Sequence, residues 1–286
     1  MSSGLRKTES DHNTWRQTGG SVMNNGLPGR HRPVVIIVTV FFILAAFFAG
    51  FLWLWEGHTR QSERHDYSYE ITLSFNTTLE NVTIFIPVPE RDGTPFFADA
   101  LVNGSGYGVP PDWNLSIGNV NGTSMLIIRA DRLVPEFRPL PVPVEPGESR
   151  LPETLSPGTE YTSEKPVPVP ITLAVMVPVD RTINTRNPLG DEPVFRPEGE
   201  FVPGTTKIPL YSGLAYLHRV PVFVNFTSKR PASLSISTRI EGVNSIWRGG
   251  WVFNRYSDTV VLDGPTGSQG WLEGGGTLVV GEGVYY

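Results

Sequence analysis

The side chains that carry out most enzyme chemistry are scarce in this chain, and their spacing frames no reaction. There are 5 His and no Cys in 286 residues. The missing Cys excludes disulfides, thiol catalysis and thiolate metal sites together. Beyond residue 55 the histidines are His58, His65 and His218, and no two have metal-ligand spacing. Ser105, in Asn103-Gly104-Ser105-Gly106, lacks the Gly two positions earlier that a nucleophile elbow needs, and no helical pattern follows it. Gly274-Gly275-Gly276 has neither a Lys nor a helix start after it, so it reads as a hairpin turn rather than a phosphate loop. From residue 56 onward there are 26 acidic residues against 18 basic ones. A glycosidase would set two carboxylates about 5 to 9.5 Å apart across a cleft, and no motif frames such a pair. Asp258, Asp263 and Glu282 lie near predicted turns and could offer oxygens to calcium, but without the regular spacing of a calcium loop. The expectation is no catalytic residue, no metal and no cofactor.

A different chemistry recurs. Asn-x-Ser/Thr, the acceptor for N-glycosylation, occurs at Asn76, Asn81, Asn103, Asn114, Asn121 and Asn225. Beyond residue 55 the chain has 11 Asn and 37 Ser or Thr in 231 residues, so chance would give about two such triplets against the six present. Acceptors are used only outside a membrane, which places the part of the chain that holds them there.

Aromatics gather near the C-terminus: Trp247, Trp251, Phe253, Tyr256 and Trp271. Such residues either fill a β core or form a row that stacks on sugar rings or a partner surface, and composition leaves both readings open. Trp247, Trp251 and Trp271 are the candidates for surface binding. Trp247 and Trp251 share strand parity, with Arg248-Gly249-Gly250 between them read as a bulge.

Residues 34–55 decide where these groups sit. They read VVIIVTVFFILAAFFAGFLWLW, without a charge. As a helix they reach about 33 Å, close to the hydrocarbon thickness of a bilayer. Trp53 and Trp55 lie at the edge, where indoles favour the membrane interface. The stretch is too long for the apolar region of a cleaved signal peptide, and the polar run before it is also too long, so an uncleaved signal-anchor is expected. Residues 1–33 carry a net basic charge and no apolar period, and are expected to be a disordered cytoplasmic tail. Residues 56–66 read as a juxtamembrane stalk. The predicted location is the cell membrane, single-pass, with the C-terminal domain extracytoplasmic.

From residue 67 to 286 the period is that of strands. Tyr69, Ile71, Leu73 and Phe75 alternate with polar residues, as do Val82, Ile84 and Ile86, and the two runs read as a hairpin. Met125–Ile128, Ile171–Val177 and Val220–Phe226 suit central strands, and Leu234, Ile236 and Ile240 form another run with a slip at Thr238 that suggests a bulge. The last 45 or so residues look like a meander with Asp-Gly and Gly-Gly turns. Residues 134–170 are rich in Pro and read as extended or edge segments. With 30 Gly and 26 Pro in the chain, long helices elsewhere are excluded. The predicted class is mainly β: an antiparallel β-sandwich ectodomain, one composite or two small sandwiches, on a single N-terminal transmembrane helix.

The run Leu79-Glu80-Asn81-Val82-Thr83-Ile84-Phe85-Ile86-Pro87-Val88-Pro89 and the terminal Trp-x-x-x-Trp, Gly-Trp and Gly-Gly pattern resemble uncharacterised membrane-anchored surface proteins of methanogenic and related archaea. The resemblance implies an extracytoplasmic β-rich domain on an N-terminal anchor and no activity. The expected function is a non-enzymatic surface protein with a structural or binding role at the cell envelope. Its expected partners are the lipid bilayer and an envelope glycan or membrane protein. A net charge of −5 argues against nucleic acid. Two alternatives remain: a membrane-tethered carboxylate-based hydrolase of envelope polymers, or an accessory subunit of a membrane complex.

Overall fold

An apolar segment can satisfy its own backbone polar groups only as a helix, and residues 34–55 lie within α1 (Arg32–Gln61). In this computed structural model, which describes residues 32–103, 106–138, 166–204, 214–264, 266, 267 and 269–284, the apolar side chains of α1 are exposed. A core helix would bury them. The helix is long and apolar enough to cross a membrane. Its last turns take in residues 56–61, and the first strand opens at Arg64, so the stretch expected to be a stalk is divided between helix and strand. The tail at 1–31 lies outside the described residues.

The chain divides into two units, Met1–Glu56 and Gly57–Tyr286. In the second, β1 (Arg64–Phe75) and β2 (Leu79–Pro87) come first. A two-residue ladder, β3 (Glu90–Arg91) with β4 (Thr94–Pro95), and the short α2 (Ala98–Val102) lead to the hairpin β5 (Asn114–Val120)–β6 (Thr123–Leu133). Phe137–Arg138 (β7) pairs with Val167–Pro168 (β8), and most of the Pro-rich stretch between them, 139–165, lies outside the described residues. Then come β9 (Ile171–Pro178) and β10 (Val202–Gly204). Four strands of 14 residues close the chain: β11 (Leu214–Thr227), β12 (Leu234–Trp247), β13 (Trp251–Gly264) and β14 (Gly270–Gly283).

The major strands form one antiparallel sheet in the order β5-β6-β2-β11-β14-β13-β12-β1-β9, with β10 added beside β11. Tyr69 on β1 donates its hydroxyl proton to the Pro87 carbonyl on β2 at 2.9 Å, although β11, β14, β13 and β12 separate those strands in the order. The sheet is therefore curled until its halves face one another across a single core that includes Ile71, Leu73, Ile84, Val222, Ile236 and Leu278.

This curl explains why β1 and β2 are not a hairpin. Each strand has one apolar face, and the two faces meet across the core instead of lying side by side; β1 pairs with β12 and β9, and β2 with β11 and β6. β9 ends the sheet and is not central. The expected meander is present as β12, β13 and β14 in adjacent positions. There is no bulge at Thr238: β12 keeps an unbroken register with both neighbours, and Thr238 takes an inward position. Pro221 is accommodated within β11 because on one side the pairings with β10 end at Leu217 and those with β2 begin at Phe223, so no partner there needs its missing N–H.

Two glycine assignments also differ. Arg248-Gly249-Gly250 is the turn of the β12–β13 hairpin and not a bulge, with Gly249 at φ 77°. Gly274, Gly275 and Gly276 are not a turn; they lie within β14, where Gly276 faces the ring of His218 so closely that no Cβ fits.

Candidate functional site

Two clusters of ionisable residues are drawn inward, each held by its own hydrogen bonds. His218 Nε2 lies 2.7 Å from Asp258 Oδ1, and both side chains are fully buried. Asp258 Oδ2 accepts the Phe195 N–H at 3.0 Å. The other ring nitrogen, His218 Nδ1, has no hydrogen-bond partner, and Phe201 packs edge-on against the ring. No substrate can reach a pair buried this deeply, so its role is structural.

A second cluster surrounds Glu192. Its carboxylate accepts bonds from Arg181 Nη1 at 2.9 Å, Arg181 Nη2 at 2.5 Å, the Asn184 N–H at 2.6 Å and the Tyr67 hydroxyl. Burial pushes the Glu192 carboxyl up, but the bonds from Arg181, Tyr67 and the Asn184 amide, with the Arg181 charge, outweigh it and hold the group below its ordinary value. Burial, and then the bond to Glu192, push the Tyr67 hydroxyl well up, so it stays a donor.

These clusters share one task. The connection at 179–201 has almost no ladder of its own, yet Ile183, Thr185, Glu192 and Phe195 are buried. Its backbone groups need partners, and inward-facing polar residues of the sheet supply them. Asn244 Oδ1 accepts the Ile183 N–H at 2.9 Å and its Nδ2 donates to the Ile183 carbonyl at 2.8 Å. Asn254 Oδ1 accepts from Thr185 and Asn244, and Tyr256 donates to the Pro193 carbonyl at 2.7 Å. Sequence reasoning missed this function, although a signal was present: Asn244, Asn254 and Asp258 keep the inward phase of their strands among apolar neighbours.

The calcium candidates lie apart, each with its own partner: Asp258 with His218, Asp263 with Ser235 at 2.8 Å, and Glu282 with Arg255 at 2.7 Å. Among the described residues no three acidic or His side chains form a metal-sized group.

The outward face holds the rest. Asn76, Asn81, Asn103, Asn114, Asn121 and Asn225 are all exposed. The two asparagines buried in the interior, Asn244 and Asn254, belong to no acceptor triplet. Asn81 and Asn121 adopt left-handed backbone at φ 51° and 53°, a conformation that Asn takes more readily than most residues. Asn81 Nδ2 donates at 3.3 Å to Thr227, itself the third residue of the Asn225 triplet, so two acceptors sit together on β2 and β11.

The aromatics separate into two groups. Tyr256 and Trp113 are buried, whereas Trp247, Trp251 and Trp271 are 46, 51 and 46 % exposed. Trp271 is the exposed end of a row across three paired strands, with Phe223 at 5.3 Å and Phe85 next to it at 4.8 Å from Phe223. Beside it a cleft of about 450 Å³ is lined by Asn121, Arg196, Glu198, Trp271 and Glu273. A flat indole with charged hydrogen-bonding groups at its edge has the chemistry to stack on a sugar ring and bind its hydroxyls. Trp247 and Trp251 are cross-strand partners at the β12–β13 tip, with rings 5.8 Å apart and nearly perpendicular. No known protein family, curated protein or solved structure matches the chain.

Proposed function

We propose that the chain is a non-enzymatic, single-pass cell-surface protein of the kind it resembles in archaea. α1 is its signal-anchor, the N-terminal tail is cytoplasmic, and the β domain is glycosylated outside, in a structural or binding role at the envelope. One observation carries this reading: every acceptor asparagine is exposed, and the interior asparagines carry no acceptor triplet. An exposed asparagine is open to glycan transfer and a buried one is not. The Trp271 cleft is the binding face, and an envelope glycan is the ligand that suits it.

Protease treatment of intact cells, followed by mass spectrometry of the released peptides, tests this. The expected result is release of peptides from the β domain carrying glycan on several of the six asparagines. Protection of the domain, or bare asparagines throughout, would overturn the reading. A second reading draws on the same cleft, where Glu198 and Glu273 are the two carboxylates of a tethered hydrolase of envelope polymers. Glu273, however, is ion-paired with Arg219 at 2.7 Å. Polymer cleavage that Glu198→Gln abolishes would favour that alternative.

A further inference from the structure

The exposed indoles of Trp247 and Trp251 occupy the end of the β domain at which the chain enters it. The backbone N–H of Trp247 donates to Ser62 Oγ at 2.9 Å, and Ser62 Oγ donates to the Thr59 carbonyl at 2.6 Å. β12 runs antiparallel to β1 with Ser245 opposite Arg64, so the turn at Arg248–Gly250 continues past the first residue of β1, back toward the side of entry. Ser62 follows Trp55 by seven residues, which a chain cannot stretch beyond about 25 Å. The tether thus limits how far Ser62, and the tip bonded to it, can lie from the end of the apolar run.

We infer that the β12–β13 tip is a second membrane contact, with Trp247 and Trp251 seated in the interfacial layer of the bilayer that α1 crosses. The inference rests on the reading of α1 as a membrane span. Indoles favour that layer because the ring is apolar and its N–H needs a polar partner. The groups around them suit it too. The turn between the two tryptophans contains Arg248 and two glycines and no carboxylate. The Arg64 guanidinium lies 5.5 Å from the centre of the Trp251 ring, a position from which it can meet lipid phosphate. Met176, 64 % exposed, and Phe253 line the groove alongside Trp251 and extend the apolar surface. Trp271 contrasts with them in the balance of charge: Glu198 and Glu273 line its cleft against Arg196 alone, whereas the groove beside Trp251 sets Asp66 against Arg64 and Arg255. Tethering does the remaining work, because a covalent anchor raises the local concentration of the tip at the membrane so that two indoles suffice. The consequence is a domain held against the membrane at two points instead of swinging on one.

The absence of Cys allows single labels to be placed at will. Three full-length variants, each carrying one nitroxide, are reconstituted in mixed phosphatidylcholine–phosphatidylglycerol vesicles. Gly250→Cys labels the tip, where an added Cβ meets nothing within 4 Å. Lys229→Cys labels the exposed connection before β12, at the opposite end of that strand. Ala46→Cys labels the middle of α1. Power saturation with oxygen and with an aqueous nickel chelate reads the depth of each label. The expected order is Ala46 in lipid, Lys229 in water, and Gly250 with a several-fold higher oxygen-to-nickel ratio than Lys229. Replacing Trp247 and Trp251 by Ala returns the Gly250 label to the Lys229 value. A Gly250 label as wet as Lys229, with Ala46 in lipid, overturns the tip contact alone. An Ala46 label in water overturns the span and the tip contact together.

Discussion

Replacing Glu192 by Gln keeps the size of the side chain and removes its charge. In the folded protein the carboxylate accepts four hydrogen bonds, two of them from the Arg181 guanidinium. A Gln oxygen placed at Oε1 keeps the Arg181 Nη1 and Asn184 donors, but its amide NH₂ then takes the place of Oε2 and can accept from neither Arg181 Nη2 nor the Tyr67 hydroxyl. Two charge-assisted bonds are lost, about 1.5 to 3 kcal/mol each before the neighbours rearrange, and the other two weaken to neutral strength, near 1 kcal/mol each. Removing one partner of a buried pair costs about 3 to 5 kcal/mol. Arg181 is 37 % exposed and can turn to water, so the low end applies, about 3 kcal/mol. For a domain of this size that is a fall in Tm of roughly 6 to 12 °C. Urea unfolding of the full chain in detergent, followed by near-UV circular dichroism, reads it as a lower midpoint at unchanged slope.

The loss depends on pH in a fixed direction. Glu192 is held below its ordinary value in the folded state, so its contribution is complete above the unfolded carboxyl value, near 4.3. That contribution disappears as pH falls through the lower folded value. The gap between wild type and Glu192→Gln is therefore full at neutral pH and closes in acid below about pH 4. A gap under about 0.5 kcal/mol at neutral pH, or one that stays constant into acid, would refute the argument that this cluster pins the 179–201 connection.

Other substitutions probe the remaining assignments. Gly276→Ala forces a methyl into the buried His218 ring, and unfolding should become easier by about 1 to 3 kcal/mol; the same change at Gly275, where a Cβ meets only the Val261 carbonyl at 4.0 Å, should cost less, and equal losses would contradict the packing described. Asp258→Ala strips the partner from His218 Nε2 and from the Phe195 N–H, for a loss of about 3 kcal/mol or more by calorimetry. Trp271→Ala removes a side chain 46 % exposed, so stability should fall by no more than about 1 to 2 kcal/mol. Retention on an envelope-glycan matrix should be lost in the same variant, and unchanged retention would remove Trp271 from the binding face.

Local pattern alone determined a good deal of this protein. The charge-free run at 34–55 could only be a long apolar helix, because its backbone has no other way to satisfy itself in an apolar setting. The alternation from Tyr69 to Phe75 and from Val82 to Ile86 marked strands with one buried face, since side chains alternate across a pleat. The acceptor asparagines are visible as triplets, and their exposure follows from the polar phase of the strands and from turns.

Tertiary structure decided which strands meet. β1 and β2 are neighbours in sequence with short chain between them, yet β1 pairs with β12 and β2 with β11, each over 100 residues away, because period-2 patterning fixes which face is buried and not which edge is joined. The glycines of β14 had the composition of a turn, and only the ring of His218 packed against them shows why they are a strand. Local pattern gives no reason for the buried Asp258, Glu192, Asn244 and Asn254. What made them necessary was an irregular connection laid across the inside of the sheet, whose backbone groups had lost water and are satisfied by Asn244 and Asp258 arriving from distant strands and by Glu192 from within the connection itself.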